Sequence, residues 1–408
     1  MISEIPKLAW RNLWRNKRRT LITSASVFFA VWFALLMRGF QLGSYDLMVY
    51  NIVHAYSGYF QLHARGYWDD QVLNNGFTFT PELKQSLSME KEITVVAPRL
   101  ESFALASYGL QTKGVMVNGI DPQAENGLTS LKKKLVQGSY LTAADNGALV
   151  SQRLAGYLKI GIGDSLVIIG QGFHGASAAG VFPVRGIVKF PSPDLDSRII
   201  YLSLLAAQGL FTAEGMTTSV AFAVGEGSDY AKVAAGLKKK LDQDQYEVMT
   251  WEEMMPDVVQ QIKADSASGM IMLGILYMIV GFGIFGTMLM MLNERVREFG
   301  MMIAIGMKKW KLTLIVVTET LFLGLLGIIA GVAGAIPINW YFHVYPIPLT
   351  GEMARGTANM GFEPLMPTAW EPSYFIAQSL IVLGIILAVM LLPVSRIRRM
   401  KVIEALRR

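Results

Sequence analysis

Four long apolar segments constrain this chain more than any other feature of its 408 residues. Each contains the roughly 18 apolar residues that a helix needs to cross a bilayer. The composition agrees, because 52% of the residues are hydrophobic and 17% are charged, against about 25% charged in ordinary soluble proteins. We therefore predict a membrane α-helical protein with four transmembrane helices, at residues 20–42, 266–292, 312–342 and 373–394.

The positions of the lysines and arginines indicate which ends of the spans face the cytoplasm. Seventeen of the 37 lie in three short segments beside apolar spans, residues 1–19, 293–311 and 395–408. Positive charge collects on the cytoplasmic side of membrane proteins. We therefore expect both termini and the 293–311 loop inside, and the loops 43–265 and 343–372 outside.

The large outer region is mildly acidic, with 18 Lys/Arg against 23 Asp/Glu in residues 43–265. Nothing there would attract a phosphate backbone, so no nucleic-acid partner is expected. The chain contains no cysteine, which excludes disulfides, thiolate metal sites and a lipidated N-terminal cysteine.

Residues 1–19 predict a cytoplasmic amphipathic helix, with Trp10 and Trp14 at the level of the lipid headgroups. A cleaved signal peptide is the alternative for the apolar stretch that follows. That stretch is longer than the usual 7–15-residue core of a signal peptide, and no A-x-A-like cleavage site follows promptly.

Region 43–265 is expected to be an α+β domain of two lobes, a β-rich lobe inserted into an α/β lobe formed from both ends of the region. Alternating apolar runs predict strands, and Gly, Pro, Asn and Asp separate them as turns require. The candidate strands are Tyr59–His63, Ile93–Arg99, Gly114–Ile120, Ala148–Ser151, Ser165–Ile169, Val184–Val188, Ile199–Leu202 and Ser219–Val224. The candidate helices are Gln152–Leu158, Leu204–Gly209 and Tyr230–Leu241, and Trp251–Lys263 is expected to lead into the second span. Gly170–Pro183, rich in small residues, is expected to be a long hairpin tip.

The segment Glu294–Lys311, ERVREFGMMIAIGMKKWK, joins the second and third apolar segments. A helix here would present Phe299, Met302 and Ile303 as an apolar knob, surrounded by charged residues. Such a knob suits a groove on another protein. The alternative is an ordinary basic turn at the membrane surface.

This segment resembles the E-R-x-R-E-F-G-x-x-x-A-I-G-M signature of the FtsX/MacB-type ABC transporter permeases. The A-W-R-N-L run at Ala9–Leu13 and the ending Arg396–Arg407 are similar to the same family, although Val402 stands where proline is common. The resemblance implies four spans, a MacB-like periplasmic core and an inner-membrane location. It is closest to the lipoprotein-releasing, LolC/LolE-like permeases.

The resemblance also implies roles for particular residues. The coupling segment that would sit on an ATPase comprises Glu294, Arg295, Arg297, Glu298, Phe299, Gly300, Met302, Ile303 and Gly306. Candidates for an acyl-chain site are Phe29, Phe33, Met37, Met278, Phe282 and Phe285. Candidates for contact with a periplasmic carrier are Phe173, His174 and Phe182. Glu319 is an intramembrane carboxylate, which is either functional or paired structurally with a local cation.

Motifs for chemistry are missing from these 408 residues, which contain no G-x-x-x-x-G-K-[ST] and no H-E-x-x-H. We therefore expect no catalytic residues, no metal site and no directly bound cofactor. ATP and Mg²⁺ would be held by a partner, a cytosolic ABC ATPase dimer.

Three functions remain open. The first is a mechanotransmission permease that extracts lipoproteins, or another lipid-linked substrate, and hands them to a periplasmic carrier. The second is a MacB-like efflux permease. The third is an FtsX-like regulator of a cell-wall hydrolase that transports nothing. In each case we expect a second permease copy, as a homodimer or a heterodimer with a paralogue, because an ATPase dimer offers two coupling sites. Membrane lipids surround the spans.

Overall fold

The computed structural model describes residues 5–15, 17–225, 227–359 and 362–400. The predictions for residues 1–4 and for the tail 401–408, including Val402, lie outside the described residues. Contacts divide the chain into a helical unit, which runs to Asp46 and includes Ile262–Ile347 and the chain from Met366, and an α/β unit, Leu47–Gln261 with Pro348–Leu365.

The described elements alternate between helices and short strands. The helices are α1 Ile5–Arg15, α2 Lys17–Ile52, α3 Pro81–Ser88, α4 Pro122–Thr129, α5 Gln152–Leu158, α6 Leu204–Phe211, α7 Tyr230–Lys240, α8 Trp251–Met254, α9 Pro256–Ala304, α10 Lys309–Val344, α11 Gly351–Asn359 and α12 Pro372–Arg398. The strands are β1 Phe60–Ala64, β2 Phe77–Thr78, β3 Ile93–Tyr108, β4 Gln111–Ile120, β5 Leu135–Gly138, β6 Ala148–Ser151, β7 Ser165–Gln171, β8 Ser177–Val188, β9 Ile199–Ser203, β10 Met216–Thr217, β11 Ser219–Val224, β12 Tyr246–Thr250, β13 Ile347–Pro348 and β14 Leu365–Met366.

Four of the described helices are long and apolar enough to cross a membrane, which confirms the prediction of four spans. They comprise Thr20–Ile52, Pro256–Ala304, Lys309–Val344 and Pro372–Arg398. The second is much longer than the predicted span, because the helix continues through charged residues at both of its ends.

Small residues on α10 allow α2 to pack closely against it. A Cβ on Gly327 would lie 2.5 Å from the Cβ of Val27, and one on Gly331 would lie 2.9 Å from the Phe28 carbonyl oxygen. Lipid tails offer no hydrophobic drive for helix association, so close packing of this kind supplies much of the attraction between spans. The G-x-x-x-G pattern of α10 is therefore a packing site within the chain.

Six strands of the α/β unit form a closed ring. β3 pairs with β4, β4 with β9, β9 with β6, β6 with β8, β8 with β7, and β7 again with β3. Alternate side chains fill the interior, including Ala104, Val117, Val150 and Ile200. Closure removes the exposed edges of these strands, which explains how a lobe made of short strands is stable.

A second lobe forms around the first half of β3, which pairs with β11, while β1 lies between β11 and β12. Its separate core contains Phe60, Phe222 and Leu237, and the rings of Phe60 and Phe222 stack at 4.8 Å. This lobe is built from both ends of the region and the strand ring is inserted into it, so the two-lobe prediction is confirmed.

The predicted long tip at Gly170–Pro183 is wrong in extent. β7 and β8 pair from Ser165↔Pro183 to Gln171↔Ser177, and the connection between them is only Gly172–Ala176. The small residues here occupy the strand, because Ala178 points into the packed interior of the ring where a larger side chain would not fit.

A buried ion pair fixes the turn that follows α2. The side chains of Arg99 and Glu125 are 0% and 1% exposed, and two hydrogen bonds of 2.9 and 2.8 Å join the guanidinium to the carboxylate. Tyr56, in the π-helical turn Val53–Ser57, lies with its ring 4.8 Å from this guanidinium. Lys134 Nζ donates to the His54 carbonyl in the same turn at 3.1 Å. Burial lowers the pKa of Lys134 to about 8.

We predict that protonation of His63 limits stability in mild acid. Burial lowers the pKa of this imidazole to about 4 from 6.5, because the ring is enclosed between Tyr67 and Trp68. As pH falls from 6.5 towards 4 the unfolded chain binds a proton that the folded chain does not, so stability falls by up to roughly 3 kcal/mol and is unaffected above pH 6.5. The measurement is the thermal midpoint of the full chain in detergent against pH.

The matched variant is His63→Phe, which keeps an aromatic ring in the stack and removes the titrating group. Its midpoint should fall less steeply between pH 6.5 and 4. The same slope in both proteins would show that His63 does not set the acid sensitivity.

Candidate functional site

Three parts of the helical unit meet at what we call the basic end: α1, the last turns of α9 with the turn Ile305–Lys308, and the end of α12. Helix α9 ends because Gly306 adopts φ = +103°, a conformation that side chains disfavour. The Met307 N–H then donates to the Met302 carbonyl at 3.0 Å, which closes the helix end. Lys309 Nζ donates to the carbonyls of Arg398 and Met400, which joins α10 to the end of α12.

A buried ion pair joins α9 to α10 at this end. Arg295 Nη1 lies 2.8 Å from Glu319 Oε2, and the two side chains are 8% and 0% exposed. Arg295 also lies with its guanidinium carbon 6.0 Å from the centre of the Phe299 ring. An isolated charge in such a place would be very costly, so each of the two groups needs the other.

Glu298 extends this pair to a third helix. Its carboxylate lies 3.4 Å from Arg295 Nε and 3.0 Å from Arg15 Nη2 on α1. The four side chains therefore form a chain of alternating charge, Arg15–Glu298–Arg295–Glu319, that connects α1, α9 and α10. We call it the charge relay. Its α1 end is partly exposed and its α10 end is fully buried.

Helix α1 is amphipathic and packs by a face with a four-residue spacing. Ile5, Ala9 and Leu13 are buried, whereas Trp10 and Trp14 are about half exposed. The Thr20 hydroxyl donates to the Leu13 carbonyl at 2.7 Å, which fixes the angle between α1 and α2. The helix is therefore attached to the helical unit, and its tryptophans remain free to lie in the headgroup layer.

The structure corrects the predicted apolar knob. Phe299 is 2% exposed and Gly300 is also buried, because both continue the inward face of α9, and Met302 and Ile303 pack against the same core. Exposed apolar residues at this end include Met301, Trp310 and Ile305, the last of which is 87% exposed. Glu294 and Arg297 lie on the exposed side, as does Gly306. On α9, the buried residues Met288, Leu292, Arg295 and Phe299 follow one another at the three- or four-residue spacing of a helix face. Extending this spacing from the apolar span into the charged segment would have identified the inward face.

The acyl-chain candidates fall into three places. Met278, Phe282 and Phe285 line an apolar groove of about 580 Å³ between α9 and α12, where Phe282 is 68% exposed. Phe29 and Phe33 are about half exposed on α2 with stacked rings. Met37 lines a separate pocket near the other ends of α2 and α9.

The carrier candidates do not form one surface. Phe182 is 8% exposed and belongs to the interior of the strand ring, and Phe173 packs against that interior from the turn. Of the three, only His174 is exposed, and its backbone N–H donates to Asn74 Oδ1 at 2.8 Å. The prediction for Phe182 is therefore wrong, since the pairing of β7 and β8 directs its ring inward.

Two protein families match the chain. The MacB-like periplasmic core domain matches residues 20–240, and the C-terminal part of FtsX-like permeases matches residues 270–402. The second match includes the turn between α9 and α10, as well as Arg295, Glu298 and Glu319.

Two curated relatives are similar over part of their length. An uncharacterized ABC transporter permease of Methanocaldococcus jannaschii is 30% identical over 195 residues, which is 46% of this chain and 45% of the relative. The pyoverdine export ATP-binding/permease protein PvdT of Pseudomonas syringae is 24% identical over 346 residues, which is 81% of this chain and 51% of the relative. The chain thus spans about half the length of the curated relatives that it matches.

Among solved structures, the periplasmic region of MacB from Actinobacillus actinomycetemcomitans is 15% identical, with a TM-score of 0.36, covering 52% of this chain and 95% of that one. The extracellular domain of the transporter YknZ from Gram-positive bacteria is 17% identical, with a TM-score of 0.34, covering 47% of this chain and 98% of that one.

We predict that removing either partner of the buried pair destabilises the helical unit. Glu319→Ala should lower the free energy of unfolding in detergent by about 3–5 kcal/mol, because it removes the fully buried partner of Arg295 and leaves the buried guanidinium with only the partly exposed Glu298 carboxylate. The double variant Arg295→Met/Glu319→Leu should recover most of that loss, since no charge is then buried.

The control is Arg15→Ala at the exposed end of the relay, which should change the free energy of unfolding by less than about 1 kcal/mol. If Glu319→Ala were as stable as the unmodified chain, the pair would carry no structural role.

Proposed function

We propose that this chain converts ATP hydrolysis by a partner into movement outside the membrane. The chain belongs to the MacB-like periplasmic core domain family of ABC transporter permeases, and it carries an FtsX-like permease C-terminal part. The partner is a cytosolic ABC ATPase dimer that holds ATP and Mg²⁺. Two permease copies, identical or paralogous, match its two coupling surfaces. The basic end lies in the cytoplasm and the α/β unit in the periplasm, as the distribution of positive charge favours.

The charge relay carries this proposal. It joins α1, α9 and α10 through Arg15, Glu298, Arg295 and Glu319, directly beside the turn that ends α9. Exposed Met301 and Ile305 on that turn offer an apolar contact to a partner protein. A push on the turn therefore acts on three helices at once.

Helix α9 suits transmission because it is one continuous element. It contains 49 residues, and at 1.5 Å per residue this corresponds to roughly 70 Å. It continues across the boundary between the two units at Gln261, as α2 does at Asp46. Movement at the basic end would therefore be carried along a single continuous helix.

We assign a lipid-linked substrate, such as a lipoprotein, to the exposed apolar surfaces of α2 and α9. The support is the groove with Met278, Phe282 and Phe285 and the exposed pair Phe29 and Phe33. Methionine adapts to irregular apolar shapes. Extraction of an acyl chain requires energy, because each methylene contributes about 0.8 kcal/mol to membrane binding. A periplasmic carrier would receive the substrate near His174.

Export of a small molecule is the second candidate. It is favoured by the similarity to a relative described as a pyoverdine export ATP-binding/permease protein, of which the chain covers 51%. An FtsX-like role in regulating a cell-wall hydrolase is the third. The three differ in what is bound at the membrane, so direct capture distinguishes them.

We predict that Ile305→Asp uncouples the permease from its ATPase. A carboxylate at this exposed position would have to be desolvated in the interface, which costs several kcal/mol. The measurement is substrate-stimulated ATP hydrolysis by the reconstituted complex. The control is Leu110→Asp, a fully exposed residue in the β3–β4 turn of the other unit.

Ile305→Asp should abolish stimulation while the chain stays folded, and Leu110→Asp should leave it intact. This position is a cleaner test than Phe299, since a buried aspartate there would unfold the chain. Normal stimulation in Ile305→Asp would show that this turn is not the coupling contact.

We predict that a photo-crosslinker at Phe282 or Phe33 captures a lipid-anchored protein in the complex without nucleotide. Addition of ATP should release it, because the substrate leaves when the helices move. The control position is Ile329, which is 65% exposed on α10 and should yield phospholipid alone. Crosslinks at Phe282 that contain only phospholipid, or a soluble pyoverdine-like compound, would reject the lipoprotein assignment.

A further inference from the structure

A small pocket lies near the ends of α2 and α9 that are farthest from the basic end. Its volume is about 350 Å³. Its lining combines apolar Met37, Phe40 and Met272 with polar Gln41, Tyr45 and Asp265. A pocket with both kinds of lining fits an amphiphile rather than a purely apolar chain.

Two opposite charges are joined through one amide group at this pocket: Asp265 belongs to its lining, and Arg38 contacts the lining residue Gln41 from beside it. Arg38 Nη1 donates to Gln41 Oε1 at 2.7 Å, and Gln41 Nε2 donates to the backbone oxygen of Asp265 at 3.1 Å. The Tyr45 hydroxyl donates to the Asp265 carboxylate. Within the described part of the chain, neither Arg38 nor Asp265 forms an ion pair.

The pocket lies at the level of one membrane surface. Gly39, next to Arg38, packs against Asn339 and Tyr374, since a Cβ there would lie 2.2 Å from Asn339 Oδ1. Trp340 follows Asn339 and is about half exposed, as is Trp370 near the start of α12. Exposed tryptophans mark the headgroup level of a bilayer. The two charges are therefore at the depth of lipid headgroups.

We propose that this pocket binds the headgroup of a phospholipid that carries a primary amine, a phosphoethanolamine-type lipid. The lipid phosphate pairs with the Arg38 guanidinium, whose planar set of donors suits phosphate oxygens. The ammonium, two carbons away, donates to the Asp265 carboxylate. One acyl chain lies along Met37, Phe40 and Met272.

The chemistry discriminates among common headgroups. A quaternary choline ammonium has no N–H to donate to Asp265. A glycerol headgroup has no cation, so it leaves the Asp265 carboxylate without a counter-charge. The proposal does not depend on the lipid-linked substrate, because the groove between α9 and α12 is a separate place.

The test is lipid retention by the full chain, measured by native mass spectrometry. The probes are phosphatidylethanolamine, phosphatidylcholine and phosphatidylglycerol with identical acyl chains. We expect the first to be retained about tenfold more than the other two, as for one charge-assisted contact. Asp265→Asn should remove most of this preference, whereas Arg38→Gln should lower the retention of all three lipids, because each of them carries the phosphate. Arg355→Gln, at an exposed arginine of the α/β unit, should change neither the preference nor the retention.

Equal retention of phosphatidylglycerol and phosphatidylethanolamine by the unmodified chain would overturn the proposal, and this comparison needs no variant to fold. Undiminished preference in Asp265→Asn, or undiminished retention of all three lipids in Arg38→Gln, would also overturn it. Asp265→Glu, which keeps the carboxylate, should retain the preference for phosphatidylethanolamine. If Asp265→Glu lost this preference while Asp265→Asn kept it, the role assigned to the carboxylate would be contradicted.

Discussion

The ion pair between Arg295 and Glu319 is the contact on which the helical unit depends at its basic end. Glu319 is fully buried and Arg295 almost so, and the pair lies 2.8 Å apart between α9 and α10. Such a pair contributes little net stability, yet it strongly penalises any arrangement that separates the two helices. The arginine also reaches Glu298, which in turn contacts Arg15 of α1. Contacts between charged side chains therefore hold α1, α9 and α10 together at the membrane boundary. Between the spans, the close packing of Gly327 and Gly331 holds α10 against α2.

This arrangement explains how one short turn can act on distant parts of the chain. The turn Ile305–Lys308 is small, exposed and fixed by Gly306, while the helices on either side of it are long and continuous. Near the other end of α2, two further charged residues, Arg38 and Asp265, have a different role. Both have hydrogen-bond partners but form no ion pair within the described residues, and we propose that a lipid headgroup supplies their counter-charges. Ion-paired charges thus join the helices at the basic end, whereas these two charges face the surroundings of the helical unit.

Most of the fold followed from the sequence, because hydrophobic length and alternation are local signals. The four spans and strands such as Ala148–Ser151 and Ser219–Val224 were predicted directly. The closed strand ring was not, since β7 must return to β3, and the pairing of distant strands leaves no trace in local alternation. The small residues of Ser177–Pro183 suggested a loop, whereas they belong to β8, where Ala178 faces the crowded interior of the ring and Ser177 and Ala179 face outward. The sequence identified the segment that forms the site, but it predicted the wrong orientation for Phe299 and Gly300, which face inward. Arg15 was not predicted as part of the site, because its partner Glu298 lies 283 residues away in the sequence.

The central claim is that the buried pair makes the basic end and α9 move as one body when the ATPase binds nucleotide. The chain has no cysteine, so spin labels at Ala264→Cys on α9 and Ser373→Cys on α12 would report a single distance within the helical unit. We predict that ATP shifts this distance in the assembled complex, and that Glu319→Gln removes the shift while ATP still binds. An unchanged shift in Glu319→Gln would contradict the account.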